Sequence, residues 1–332
     1  MATETSEKNI VQTVHDTLWE EMKNDDRILI LGEDVGARGG VFRATADFME
    51  EFGEQRVIDT PLAESGIVGV AIGMAMHGLL PIAEIQFADF IHPAFDQLVS
   101  EAARIRYRSN GDFGVPMVVR APWGGGVHGA LYHSQSIEAF YGHVPGLKVV
   151  VPSTPHDVKG MLRSAIQDPD PVLFLEHKKT YRLIKGEVPD GDYEVPIGPA
   201  DVKREGDDMT VLTYGLMLHH CLEAAQKLAD EDGVSVEVVD VRTINPLDTE
   251  TILASVGKTS KAMVVSEDNR TYGVGAEIVA TIAEEAMFDL DGPLVRIGGP
   301  DIPAMPFSGN LEKFYMPNVE GIHAAMKELA EF

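Results

Sequence analysis

The chain has 332 residues, 44% of them hydrophobic, enough to build two ordinary domains with a core each. Against 27 Lys and Arg it carries 53 Asp and Glu, a formal net charge of −26 that is spread along the sequence and not gathered into a tail. Such a balance argues against nucleic acid as a partner and reads as a whole-surface property, one of the ways the proteins of halophiles stay solvated in concentrated salt.

The opening MATETSEKNI lacks a basic segment followed by an apolar one, so no signal peptide is expected. After it, RILILG, PIAEIQF, PMVVRA, LKVVVPS and PVLFLE read as buried parallel strands, with helix-period segments such as PAFDQLVSEAARIRYR between them. The longest apolar run, GIVGVAIGMAMHGLLPIA, holds His77 and Pro81 and falls short of the ~20 apolar residues of a spanning helix. It is expected to be a buried helix, and no membrane contact follows. Arg104, Arg106 and Arg108 sit at the end of a helical pattern stopped by Asn110-Gly111, where cations complement the helix dipole and phosphate is not attracted.

GEVPDGDYEVPIGP is dense in Gly, Pro and Asp and reads as a linker. The expected layout is a first domain over 1–185, a linker over 186–199 and a second domain over 200–332. In the second, MTVLTY, VSVEVVDV, AMVVSED and PLVRIG are strands, and HHCLEAAQKLADED and GAEIVATIAEEAMF are helices. The fold class is α/β, two domains each with a mainly parallel sheet flanked by helices. The single cysteine, Cys221, excludes an internal disulfide and a cysteine-rich metal site, and a cytoplasmic protein is the simplest reading.

Three stretches stand out chemically. In IDTPLAESGIVGVAIG, Thr60 is placed to cap a helix with Pro61 at its first position, which leaves Glu64 in the first turn. Gly66, Gly69 and Gly73 share one face of that helix, where another backbone can approach closely. Glu64 is open to two readings: a favourable dipole interaction, or a desolvated carboxyl able to exchange protons near neutrality. QFADFIHPAFDQ brings Phe87, Phe90 and Phe95 to the end of a strand, as core aromatics or as the wall of a ligand site. GALYHSQS sets His133 among small polar residues after a glycine-rich run, as a polar loop or as a functional imidazole. No G-x-S-x-G elbow, Walker-type loop or H-E-x-x-H occurs, and GVGAEI lacks the third glycine of a dinucleotide fingerprint.

Taken in order, GEDVG…GGVFR, RVIDTPLAESGI, EIQFADF…PAFDQ, RYRSNG, HGALYHSQSIEAF, PGLKVVVPSTPHDVKGML, DPDPVLFLE and DVRTINPLD carry a resemblance. The chain resembles, over nearly its whole length, the β subunit of the thiamine-diphosphate-dependent E1 component of 2-oxoacid dehydrogenase complexes, of pyruvate or branched-chain type. The resemblance implies transketolase-like pyrimidine-binding and C-terminal domains and an α2β2 heterotetramer. The α subunit would hold magnesium and the diphosphate through a G-D-G…N-N motif that this sequence lacks. It also implies oxidative decarboxylation of a 2-oxoacid, with transfer of the acyl group to the lipoyl arm of an E2 acyltransferase.

Glu64 matches the family glutamate on the pyrimidine ring nitrogen of thiamine diphosphate, Phe90 the aromatic that packs on that ring, and His133 the histidine near the reacting centre. Glu33 and Asp96 match, by the same resemblance, an acidic passage for protons between paired sites, and are otherwise solvated loop acids. A monovalent cation is implied near Ala165 and Asp168. The C-terminal GPDIPAMP departs from the family by spacing its second proline one residue later. A split transketolase, a deoxyxylulose-phosphate-synthase-like subunit and a non-catalytic docking subunit are the alternatives, and HGALYHSQS with YRSNG favours the E1 chain over the first two.

Overall fold

The computed structural model describes residues 4–332. They form two compact units, one made of the chain up to Trp123 with Phe140–Ile197, the other of Gly124–Ala139 with Gly198–Phe332.

The first unit opens with strand β1 (Thr5–Asn9) and helix α1 (Ile10–Asn24). The turn into α1 is a reciprocal cap: Asn9 Oδ1 accepts the Gln12 N–H at 2.9 Å, and Gln12 Oε1 accepts the Asn9 N–H at 3.1 Å. Then follow β2 (Ile28–Gly32), α2 (Phe48–Phe52), β3 (Val57–Asp59), α3 (Glu64–Met76), β4 (Leu80–Glu84), a run of 3-10 and π turns ending in α4 (Ile105–Arg108), and β5 (Val118–Trp123). After α5 (Glu138–Gly142) come β6 (Lys148–Val150), α6 (Pro155–Gln167), β7 (Val172–His177), α7 (Thr180–Leu183) and β8 (Lys185–Pro189). The strands align in parallel in the order β6-β7-β5-β4-β2-β3. Strands β2, β5 and β7 are buried at every position, as expected of parallel strands covered on both faces. Helices α1 and α6 pack together, and Val14, Leu18, Val158 and Met161 of these helices are fully buried in the core.

The second unit continues through β9 (Asp201–Arg204), β10 (Met209–Thr213), α8 (Leu216–Asp232), β11 (Val236–Asp240), β12 (Thr243–Asn245), α9 (Thr249–Thr259), β13 (Ala262–Asn269), α10 (Val274–Glu285), β14 (Val295–Gly299), α11 (Gly309–Tyr315) and α12 (Val319–Ala330). Its sheet runs β14-β13-β10-β11-β9, parallel except for the antiparallel edge strand β9. Helices α8 and α12 lie on each other over a core that holds Cys221, whose thiol burial pushes up to about 12, so it is inert at neutral pH.

One local expectation changes, and the segment over 186–199 has structure of its own. The stretch expected as a linker over 186–199 begins inside β8, which pairs antiparallel with β1; its Val188 is buried, and its Val195 belongs to the first core. Its Gly, Pro and Asp residues shape an edge ribbon that packs on the domain. Thr60 does not cap α3. Its N–H still donates to Gly32 O at 2.9 Å, so the backbone follows β2 for one more residue and the helix starts at Glu64, with Ala63 at the cap and no side-chain cap bond.

Candidate active site

In the first unit the loops that leave β2, β3, β4 and β7 emerge at one edge of the sheet, the carboxyl ends of its parallel strands, where open α/β sheets bind ligands. Glu33 follows β2, Glu64 begins α3 after β3, and Phe87 and Phe90 follow β4. Glu64 is the first residue of α3 and only 8% exposed, a carboxylate set where the unpaired N–H groups of the helix favour negative charge. Glu33 is half-buried; burial, then the charges of Glu64 and Asp34, push its carboxyl up, so it keeps its proton to higher pH than an ordinary glutamic acid. The two carboxyl groups therefore feel each other.

Beside them stands an aromatic wall. Phe42 meets Phe87 edge-on at 5.6 Å between centroids, Phe87 meets Phe90 at 5.7 Å, and Phe42 meets Tyr181 at 5.0 Å. Buried Lys178 places its Nζ 5.7 Å from the Phe87 centroid while donating to Pro122 O at 3.2 Å. Below the wall, Tyr181 donates to Glu176, and Arg120 lies between Glu176, at 2.6 and 2.8 Å, and Glu84, at 2.7 Å. All three charged groups are within the core. Burial opposes the Arg120 charge, but the two carboxylates outweigh it and its pKa is raised; burial also raises Glu84, against the pull of Arg120. None of this support was singled out in the sequence, where Arg120 and Glu176 are single charges at the ends of apolar runs.

Of the other expected residues in this unit, Asp96 is exposed, one turn beyond the aromatic loop. Ala165 is buried near the end of α6, and Asp168 caps that helix at the opposite, amino edge of the sheet. The Asp168 carboxylate is met by Lys148 Nζ at 2.5 and 2.6 Å and accepts the Asp170 N–H at 2.9 Å. Its charge is thus balanced by an ammonium. A cavity of about 710 Å3 opens at that same amino edge, lined by Arg27, Ile28, Leu80, Arg106 and Pro116. Its arginines are paired with Asp25 and Asp170, so it lies away from Glu64 and offers no unpaired guanidinium.

His133 belongs to the second unit, in the loop Gly124–Ile137. A 3-10 turn over Ala130–Tyr132 ends at His133, and the chain folds back on itself there: the Gly129 N–H donates to Ser134 Oγ at 3.1 Å, and Gln135 Nε2 donates to Ala130 O at 3.4 Å. A side chain at Gly129 would sit 2.7 Å from the His133 Cβ and carbonyl, so only glycine permits this return. Ser134 is fully buried, while the His133 ring is half-exposed.

This loop is gripped by acids that the sequence does not advertise. Glu267, at the end of β13, accepts the Gly125 N–H, and Glu312 of α11 accepts the N–H groups of Gly126 and His128 at 3.0 and 3.1 Å. At the far end Glu138 is fully buried and accepts the Tyr214 hydroxyl at 2.9 Å. Burial, then the Asp268 charge, push Glu138 well up; burial likewise lifts Asp268 to about 6 against the hydrogen bonds of Asn269 and Val274. Among the described residues no group of three or more His, Cys, Asp or Glu is arranged to hold a metal ion.

On α3, Gly69 and Gly73 are exposed, and a Cβ at Gly73 would meet nothing within 4 Å. The smooth face expected from the sequence is present and is not covered by this chain's own backbone. No helix of the described residues is long and apolar enough to cross a membrane.

Comparison with known proteins agrees with this architecture. The transketolase pyrimidine-binding domain family matches residues 6–184, and the transketolase C-terminal domain family matches residues 198–322. The chain is 59% identical over 322 residues to the 2-oxoisovalerate dehydrogenase subunit beta of Bacillus subtilis, covering 97% of this chain and 98% of that one. It is 47% identical over 327 residues to the pyruvate dehydrogenase E1 component subunit beta of the same organism, covering 98% and 100%. Among solved structures it is similar to a split-gene transketolase described as an inactive beta4 tetramer, with a TM-score of 0.78, 23% identity, and 97% and 98% of the two chains covered; that likeness concerns the fold.

Proposed function

Because the chain belongs to the family of E1 β subunits of 2-oxoacid dehydrogenases, with transketolase pyrimidine-binding and C-terminal domains, we propose that Glu64, Phe90 and His133 are its working residues. Thiamine diphosphate is the cofactor of this family, and when bound it supplies the electron sink for loss of carbon dioxide from a 2-oxoacid. The observation that carries the reading is the buried Glu64 carboxylate on the same strand edge as the Phe42–Phe87–Phe90 wall. That donor set suits a flat aminopyrimidine ring: apolar faces for its body and one carboxylate for a protonatable ring nitrogen.

In this reading Glu64 holds or gives up the proton on the ring nitrogen, and the wall excludes water so that the exchange is not short-circuited by solvent. Glu33, whose pKa burial and then the Glu64 charge push up, takes up a proton more readily than an ordinary glutamate and is the nearer member of a relay that continues toward Asp96. His133 serves as a proton donor toward the substrate or the acyl acceptor. Magnesium and the diphosphate are assigned to an α partner in an α2β2 assembly, with E2 and its lipoyl arm receiving the acyl group. The bare Gly69–Gly73 face of α3 is available for contact with another subunit.

For the substrate we favour a branched-chain 2-oxoacid, supported by the higher identity to the 2-oxoisovalerate enzyme than to the pyruvate enzymes over nearly the whole chain. The net charge of −26 supports a protein adapted to concentrated salt. The test is to purify the chain with its α partner and measure acyl transfer with 2-oxoisovalerate and pyruvate in molar salt. A larger kcat/KM for 2-oxoisovalerate is expected. Preference for pyruvate would reverse the substrate choice, and no turnover of either acid by the assembled complex would refute the catalytic reading.

A further inference from the structure

We propose that Glu312 is a positioning residue for His133, acting by clamping the loop that carries it. The inference rests on the role given to His133 above. Glu312 lies on α11 with its side chain 4% exposed, and it satisfies its lone pairs on one stretch of chain: Oε1 accepts the Gly126 and His128 N–H groups, and Oε2 accepts His128 Nδ1–H at 2.6 Å. Three bonds from one buried carboxylate to two residues of one short stretch, Gly126 and His128, are more than packing requires. Without Glu312, two backbone donors would lie unpaired in a partly buried site.

The loop needs this grip because its path is costly. His128 and Ala130 both take left-handed backbone conformations, φ 57° and 56°, which residues with a Cβ adopt only when their surroundings demand it. They flank Gly129, the residue whose missing side chain allows the chain to return against His133. His128 is fixed at one end by Glu312, and Gly125 just before by Glu267. The far end of the loop is fixed through Glu138 and Tyr214. Of these anchors, Glu312 acts directly on a strained residue, His128. It does not share the His133 side chain's work; it holds the backbone from which that side chain projects. On α11, which is 7 residues long and exposes Leu311 and Phe314, Glu312 supplies the hydrogen bonds to the loop, and Gly309 lies against the His128 ring.

The experiment is a double-mutant cycle in the assembled complex, comparing wild type, Glu312→Ala, His133→Ala and the double variant by kcat and KM for acyl transfer, with melting temperature as a control. Misplacing a reacting group by about 1 Å costs on the order of 10²-fold in rate. Glu312→Ala is therefore expected to lower kcat by about that factor with little change in KM, and to lower it no further once His133 is gone, since nothing then remains to be positioned. Glu312→Gln, whose amide oxygen still accepts both N–H groups, is expected to keep the larger part of kcat. If Glu312→Ala does not assemble, the same cycle with Glu312→Met, which keeps the length of the side chain and removes its acceptors, reads the same coupling, together with amide exchange of the peptide 124–137. An unchanged kcat in Glu312→Ala, or an equal loss with and without His133, overturns the proposal while leaving the His133 reading intact. Full turnover in His133→Ala overturns that reading, and with it this one.

Discussion

Replacing Arg120 by methionine removes the one cation that serves two carboxylates in the core beneath the aromatic wall. Arg120, Glu84 and Glu176 are 1%, 5% and 1% exposed, and three hydrogen bonds of 2.6 to 2.8 Å hold them. Removing one partner of a buried ion pair typically costs about 3–5 kcal/mol, because the remaining charge stays buried without compensation, and here two carboxylates are stranded. The upper end of that range is expected, a large fraction of the ~5–15 kcal/mol that holds a domain together. For a unit of this size it corresponds to a fall in melting temperature of roughly 10–20 °C. The sign of the pH dependence follows from the stranded acids. Their folded-state pKa values rise, so the stability they contribute is present at low pH and lost as pH rises; the deficit of Arg120→Met should narrow from pH 7.5 to pH 5. The assay is thermal unfolding of the full chain by circular dichroism at both pH values, beside the triple variant R120M/E84M/E176Q, which removes all charge and keeps an acceptor for the Tyr181 hydroxyl. That variant should recover most of the loss. A single variant melting within a few degrees of wild type, or a triple variant no better than the single one, would refute the electrostatic account of this core.

Further outcomes follow from the two units. Glu64→Gln should leave cofactor affinity in the assembled complex nearly unchanged and lower turnover by about 10²–10⁴, as for a lost acid–base group, with a stability change below about 1 kcal/mol; normal turnover would make Glu64 a helix residue only. Asp268, lifted from 3.8 to about 6 by burial, contributes stability that is full below pH ~4 and lost as pH rises through about 6, roughly 3 kcal/mol in all, and Glu138 acts in the same direction. Asp268→Asn should therefore gain on wild type in melting temperature between pH 4 and pH 7, and a pH-independent difference between the two proteins would contradict this. Low ionic strength should lower the melting temperature and molar potassium chloride restore it, by screening the charge of −26; a salt-indifferent curve would remove the halophilic reading.

The two α/β domains, most of their strands, the loops bearing Glu33, Phe90 and His133 and the helical first turn bearing Glu64 were legible in the sequence, because buried parallel strands are continuous apolar runs and helices repeat with their own period. The start of α3 was not: Thr60 has the residue type of a cap, but its N–H is taken by Gly32 on the neighbouring strand, a partner 28 positions away. The ribbon of β8 on β1 was hidden for the same reason, since its Gly, Pro and Asp look like a linker until Thr5–Asn9 lies beside it. Arg120, Glu84 and Glu176 come from three different strands, and Glu267 and Glu312 are more than 130 positions from the loop they hold. Local composition determines which segments are helix, strand or turn, because those preferences act between near neighbours. Which charges end up buried together, and which loop each one grips, is decided only when distant segments pack, because a carboxylate's partners are chosen by proximity in space and its sequence neighbours carry no record of them.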